Sequence, residues 1–474
     1  MAQTLGAKLV GIFGQVALAW YLRPEDFGAV GLAYTVSAFA GLIQQAGLKE
    51  ILIQRQRHFT RWANAAFWLS IALALLAASI MMLAAPVAAR LYDSPQLPGM
   101  VMMLALATPL DALGVVPYAL LHIHLRFRAI AVISFLGAAA TTGLTVLFAY
   151  RGFGPYSFVL PRPLVALLQV AVLWWLAHPR IRSRLQIRRW GLIIGDSGVI
   201  TAAWVCYSII AQGDYVILGM RHPAYVVGIY YFAFNLSRQT FALLNTNLWG
   251  VLMPALTRLQ DQPPRQLQAF LSASRTLAVV GVPLSLLQAA LADPIIRLFF
   301  GEKWRPSIHV LEVLTLGATL MLVGSPGISL LQARGGFRIL LKVAVVFAPA
   351  FVGLVAVAAY VGAALSVAVA VAIFYAFYGV GHLYAAIRPL GGTWRQVWEV
   401  CAAGLGPAVL SNGIAYLLGH LLADGGEPWL RLAIILSCSI MLYPPLLRSL
   451  APRAWQELLH RLRGLLPRPS TGAS

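Results

Sequence analysis

Residues 22–34 read LRPEDFGAVGLAY, and residues 219–231 read GMRHPAYVVGIYY. At a constant offset of 197, Val30 falls on Val227, Gly31 on Gly228 and Tyr34 on Tyr231. Each stretch opens with a polar, proline-bearing turn and runs into an apolar helix, and each joins the first helix of its half to the second. An offset that spans six helices, an even number, returns the chain to the same side of a membrane. Both copies therefore keep one orientation, which predicts a parallel repeat: two lobes about a pseudo-twofold axis along the membrane normal, with a cavity between them.

The composition says which solvent those helices meet. Of 474 residues, 60% are hydrophobic and 11% charged, and the mean hydropathy is +0.79. Soluble chains run at roughly 45–50% apolar and ~25% charged. So few charges exclude a soluble globular enzyme, a disordered chain and a nucleic-acid-binding module, and no nucleic acid is expected as a partner. A bilayer core of ~30 Å takes ~20 apolar residues per helix.

Apolar runs near 5–22, 29–53, 64–89, 97–121, 129–150, 153–177, 192–218, 224–256, 269–292, 306–333, 340–359, 361–387, 396–421 and 428–447 predict an all-α polytopic membrane protein of about fourteen spans. The organisation expected is a six-helix lobe over 1–178, a basic cytoplasmic linker over 179–191 and a second six-helix lobe over 192–387. Two additional spans over 388–447 and a basic amphipathic tail over 448–474 follow, the tail lying on the inner surface. Lys8, the run Leu9–Val16 and Ala17-Leu18-Ala19 imitate a cleavable leader. Trp20-Tyr21-Leu22 continues the helix, so the segment reads as an uncleaved first span.

Charge sorts by side. The formal net charge is +20. With the N-terminus in the cytoplasm, 24 of the 35 Lys and Arg fall on the cytoplasmic side and nine outside, Arg162 among the nine; Lys8 and Arg238 fall inside spans. That bias places both ends and the His178–Trp190 linker in the cytoplasm, facing anionic headgroups.

No nucleotide loop, serine-nucleophile elbow or paired-histidine zinc motif occurs. Cys206, Cys401 and Cys438 lie in apolar segments without CxxC spacing. No cofactor, metal or disulfide is expected, and the chain does not read as an enzyme. The informative residues are polar groups inside spans, each of which needs a partner or water. Asn235, Arg238, Gln239 and Asn245 share one face of the eighth span, where Ala242 leaves room for a ligand. Arg238 lies fourteen residues from the outer end, ~21 Å deep. Lys8 and Gln15 share a face of the first span around Gly11, and Gln45 and Lys49 form an i, i+4 pair in the second beside Gln44. These make the expected substrate-binding set. Asp111, two residues after Pro109, is the candidate for ion coupling, against the alternative of a salt-bridged structural carboxylate. Asp196 and Asp214 read as helix-end caps or solvated mouths.

LRPEDFGAVGLAYTVSAFAGL followed by LKEILIQRQ resembles the opening of the polysaccharide-transporter (Wzx-type) branch of the multidrug/oligosaccharidyl-lipid/polysaccharide (MOP) flippase superfamily. The likeness continues in RGFGPYSFVL, in DYVILG with VVGIYYFAFNL, and in FFGEKWRPSIHVL. It implies two six-helix lobes around a central cavity, often with two further helices. It also implies flipping of undecaprenyl-diphosphate-linked oligosaccharide across the bacterial inner membrane, beside a polysaccharide polymerase and a chain-length regulator. A diphosphate needs fixed cations along its path, and the arginine fork binds phosphate oxygens bidentately. A multidrug antiporter or lipid II flippase on the same fold, and a membrane glycan polymerase or ligase, are the alternatives.

Overall fold

A computed structural model describes residues 2–45, 48–54, 59–182, 185, 187, 190–191, 198–423 and 427–465. Helices occupy most of them: α1 Ala2–Tyr21, α2 Pro24–Gln45, α3 Leu48–Gln54, α4 Phe59–Leu91, α5 Leu97–Leu113, α6 Val115–Ile123, α7 Phe127–Tyr150, α8 Tyr156–Val159 and α9 Pro161–Ala177. After the linker come α10 Gly198–Arg221, α11 Ala224–Arg258 and α12 Pro263–Ala290; short turns then lead to α13 Ile308–Gly324, α14 Pro326–Ala333 and α15 Phe337–Val361. The chain continues through α16 Ala364–Ile387, α17 Trp394–Leu422, α18 Pro428–Leu450 and α19 Pro452–Leu465. Twelve segments among the described residues are helical, long and apolar enough to cross a membrane. Fourteen spans were expected; α1, of 20 residues, and α11, of 35, cover the other two without counting among the twelve. The expected second span, 29–53, divides into α2 and the separate α3.

The chain packs as two compact units, residues 1–232 with 344–364 and residues 233–343 with 365–474. In the first unit α2 packs on α4, α5 and α10, α1 on α7, and α9 on α5 and α7. In the second α12 packs on α13 and α17, and α17 on α18. The amphipathic α19 docks on α12 through Arg275 Nη1, 2.6 Å from Glu457 Oε1, with Ala454, Trp455 and Leu458 against Val279 and Leu447.

The repeat has a different register from the one the identities suggest. The first helix of each half ends at Tyr21 or Arg221, and the second starts at Pro24 or Ala224. The offset is therefore 200, which sets Gly28 on Gly228. These two glycines sit where α2 and α11 cross inside the first unit. A Cβ on Gly28 would stand 2.0 Å from the Ala224 carbonyl oxygen, and one on Gly228 1.7 Å from the Pro24 carbonyl oxygen. The two contacts are the same contact exchanged between the halves. Only glycine lets backbones come so close, the usual device for packing helices in lipid.

The break between α5 and α6 has a local cause. Pro117 has no N–H to give the Leu113 carbonyl four residues earlier, so the helix kinks there. That carbonyl is taken by Trp174 Nε1 at 3.0 Å, while Ser70 Oγ donates to Ala112 O at 3.3 Å and Gln44 Nε2 to Thr108 O at 2.9 Å. In hydrocarbon a backbone carbonyl that a kink frees needs such a partner, and Trp174 supplies it.

Candidate functional site

The last turn of α5 carries Asp111, just before this kink, and the kink opens space beside it. A cavity of about 530 Å³ lies in the first unit among α2, α3, α5, α6, α7 and α9. Its polar wall holds Gln44, Lys49, Asp111, Tyr118 and Gln169, and its apolar wall includes Ile130, Ile133 and Val170. Asp111 Oδ2 stands 3.5 Å from Arg162 Nη2, with the two side chains 41% and 48% exposed, so the ion pair faces open space rather than packed core. Lys49 Nζ lies 5.3 Å from the centre of the Tyr118 ring, within cation–π range.

The second place is the polar face of α11, within the second unit. Asn235, Arg238 and Gln239 are each half-buried, and Ala242 is exposed. The Arg238 guanidinium lies 5.5 Å from the Phe234 ring centre and 5.3 Å from that of Phe241. Both distances lie within cation–π range, from two rings on its own helix. Gln288 of α12 clamps the same turn: its Nε2 donates to Leu236 O at 2.6 Å, and its Oε1 accepts from Thr240.

The structure thus brings Lys49 and Asp111 to one cavity and keeps Asn235, Arg238 and Gln239 together on one helix. Gln15 is half-buried on α1, beside the open space at Gly11. The side chains of Lys8, Gln45 and Asn245, and all of Asp196, lie outside the described residues. It is Gln44, the neighbour of Gln45, that reaches the cavity.

Two sequence readings need correction. Asp214 is neither a cap nor at a solvated mouth. It is fully buried in the first unit and accepts from Tyr230 Oη at 2.6 Å and from the Tyr215 N–H at 3.0 Å. Arg162 is not in an outer loop but at the second position of α9, within a span. The flanking Pro161 and Pro163 suggest a loop, yet proline is well tolerated in the first turn of a helix, so PRP here opens one. Gln169 and Gln288 were missed as well. A lone glutamine in an apolar run carries no spacing pattern, and only its neighbours reveal what it holds.

The chain is 26% identical to the succinoglycan biosynthesis transport protein ExoT of Rhizobium meliloti (strain 1021), over 98% of this chain and 94% of that one. It is 23% identical to the lipopolysaccharide biosynthesis protein WzxC of Escherichia coli (strain K12), over 87% and 86%. Among solved structures it is similar to the lipid II flippase MurJ in an inward closed conformation, with a TM-score of 0.75, 12% identity, and coverage of 97% of this chain and 99% of that one. It is also similar to an inward-facing multidrug resistance MATE family transporter of the MOP superfamily, with a TM-score of 0.65, 13% identity, and coverage of 81% and 94%. These likenesses give the chain the fold of those two structures, the MOP fold. Residues 17–309, more than half of the sequence, match the family described as polysaccharide biosynthesis protein, and the chain belongs to that family.

Proposed function

We propose that this protein flips undecaprenyl-diphosphate-linked oligosaccharide repeat units from the inner to the outer leaflet of the bacterial inner membrane, for exopolysaccharide, O-antigen or capsule assembly. The observation that carries this reading is Arg238, set ~21 Å along α11 from its outer end with Asn235 and Gln239 on its face. An arginine at that depth is costly to insert, ~2.5–3.5 kcal/mol on insertion scales, and its planar fork suits the oxygens of a diphosphate. The names of the relatives, one a succinoglycan transport protein, support the same reading. The likeness to MurJ is one of fold and leaves the sugar open. A multidrug antiporter of cations suits this face less well, because Asn235, Arg238 and Gln239 include no carboxylate.

Lobes over 1–178 and 192–387 rock to expose a cationic path to one leaflet and then the other. Arg238 with Asn235 and Gln239 on α11, and Lys8, Gln15, Gln45 and Lys49 towards the start of the chain, are the residues assigned to bind substrate. The product passes to a polysaccharide polymerase and its chain-length regulator.

An ion gradient drives net movement, with Asp111 as the group that carries the ion; its pair with Arg162 must open for this. In vesicles holding the purified protein, a labelled undecaprenyl-diphosphate oligosaccharide should become accessible on the opposite leaflet, faster under a pH gradient. Asp111→Asn should fold normally and lose that acceleration. Equal acceleration in the variant, on either side of neutral pH, removes Asp111 from coupling. No movement by the wild-type protein overturns the flippase reading itself.

Topology gives a separate test. Both termini and the His178–Trp190 linker are placed in the cytoplasm by the basic-residue count. Near its start the linker is tied to α4, where Arg182 N–H donates to Asn64 Oδ1 at 2.9 Å and Trp68 Nε1 to Arg182 O at 3.0 Å. A Gln186→Cys variant should label only from the cytoplasm. Labelling confined to the periplasmic side would reverse the orientation.

A further inference from the structure

Gln288 reaches α11 from the side opposite Arg238. Its Nε2 donates to Leu236 O at 2.6 Å and its Oε1 accepts from Thr240 Oγ1, so one amide grips both ends of a single helical turn. Residues i and i+4 share a face of a helix, and residue i+2 lies about 200° round the axis from the first. Leu236 and Thr240 are therefore on one side of α11 and Arg238 is on the other. Leu244 continues the gripped side: a Cβ on Gly281 of α12 would stand 3.1 Å from Leu244 Cδ1. Ser237 beside it is buried, with its Oγ donating to Phe234 O at 2.8 Å.

α12 thus backs α11 at two levels, by packing at Gly281 and by hydrogen bonds at Gln288. Leucine against glycine sets how close the helices come and still lets one roll on the other. The amide does not: its donor and acceptor meet two fixed atoms four residues apart, and rotation of α11 breaks one bond or both. Hydrogen bonds between helices add little to stability in a bilayer, because helices that lose one partner find others. Two directional bonds on one turn act on orientation instead. Orientation matters to the group on the far side. A guanidinium binds two phosphate oxygens only when its planar fork faces them, and a displacement of ~1 Å at a working group can cost ~100-fold.

We propose that Gln288 is a positioning residue for Arg238, on the reading that Arg238 takes the lipid diphosphate. It holds α11 at the rotation that turns the guanidinium towards the substrate, and it acts through Arg238 rather than by contact with the substrate.

The test is binding, read apart from transport. Farnesyl diphosphate, a short prenyl diphosphate, is titrated calorimetrically against the full chain in zwitterionic lipid nanodiscs, with empty nanodiscs as the blank. Gln288→Met keeps the length of the side chain and loses both bonds. It should bind about tenfold more weakly, with thermal unfolding close to that of the wild type. In an Arg238→Lys background the same substitution should cost less than about twofold, because a lysine ammonium is a point charge on a flexible stem and needs no aiming. Thr240→Val, which removes one hydroxyl at nearly constant shape, should show the same dependence on Arg238 with a smaller loss. Equal affinity of the wild type and Gln288→Met overturns the proposal and leaves the flippase reading in place, since the wild type binds. An equal loss in both backgrounds, or a Gln288→Met protein that does not fold, makes the clamp structural and overturns it as well. No binding by the wild type takes the diphosphate away from Arg238, and the positioning role falls with it.

Discussion

Arg238→Ala is expected to abolish polymer export while the protein still reaches the membrane in normal amounts. On the proposed reading the guanidinium would donate to phosphate oxygens through two parallel bonds, each worth ~1.5–3 kcal/mol when charge-assisted. Losing both predicts a fall in flipping rate of roughly 100-fold or more. The fold should tolerate the change, because alanine removes a charge that is costly at that depth, and Phe234 and Phe241 remain on the same helix. Arg238→Lys should recover part of the rate, since the charge survives but the planar fork and its stacking do not. Export and membrane content are measured together in cells carrying each variant as the sole copy. If Arg238→Ala protein disappears from the membrane, the arginine is structural and the diphosphate assignment fails.

Gly228→Ala is the second large effect, and it acts on folding. The added methyl would stand 1.7 Å from the Pro24 carbonyl oxygen and close to the Gly28 backbone nitrogen as well. Backbone has no alternative rotamer, so α2 and α11 have to separate. Overpacking a core costs ~1–3 kcal/mol where side chains can give, and a backbone collision belongs at the top of that range or beyond it. Gly41→Ala on the same α2 is the control, since its Cβ would meet nothing within 4 Å. Thermal unfolding in detergent should show a large drop for Gly228→Ala and little change for Gly41→Ala. Matching transitions in the two variants would mean that the helices do not cross closely at Gly28 and Gly228.

Much of the fold is legible in the sequence, because a bilayer leaves the chain few choices. Every backbone polar group in hydrocarbon must bond within its own segment, so an apolar run of the right length is a helix. The expected runs match the helices to within several residues at most ends. The runs near 340–359 and 361–387, separated by only Tyr360, Val361 and Gly362, resolve into α15 and α16. The repeat was also legible, but its register was not. Three identities at an offset of 197 outweighed the helix starts, yet the helices align at 200, because the close backbone approach selects glycine at positions 28 and 228.

The candidate site divides in the same way. Asn235, Arg238 and Gln239 are near one another in sequence, so helical periodicity alone puts them on one face. Asp111 stood out as a carboxylate inside a span for the same local reason. Its partner was not legible: Arg162 lies 51 positions away behind two prolines, and only the packing of α9 on α5 brings the two charges together. Gln44 and Tyr118 come from two further segments and Gln169 from α9 itself, and each is ordinary in its own helix.

The sequence by itself determined the solvent and the helices, and made the repeat visible, all of which follow from local hydropathy and pattern. Only the tertiary structure decided which polar groups share a cavity, why α5 stops short of Pro117, and that the Asp214 carboxylate is buried against Tyr230. Those outcomes depend on which helices pack together and at what depth. Hydropathy settles that a segment enters the membrane but not its neighbours there, because lipid tails are as apolar as leucine and give no helix a preferred partner.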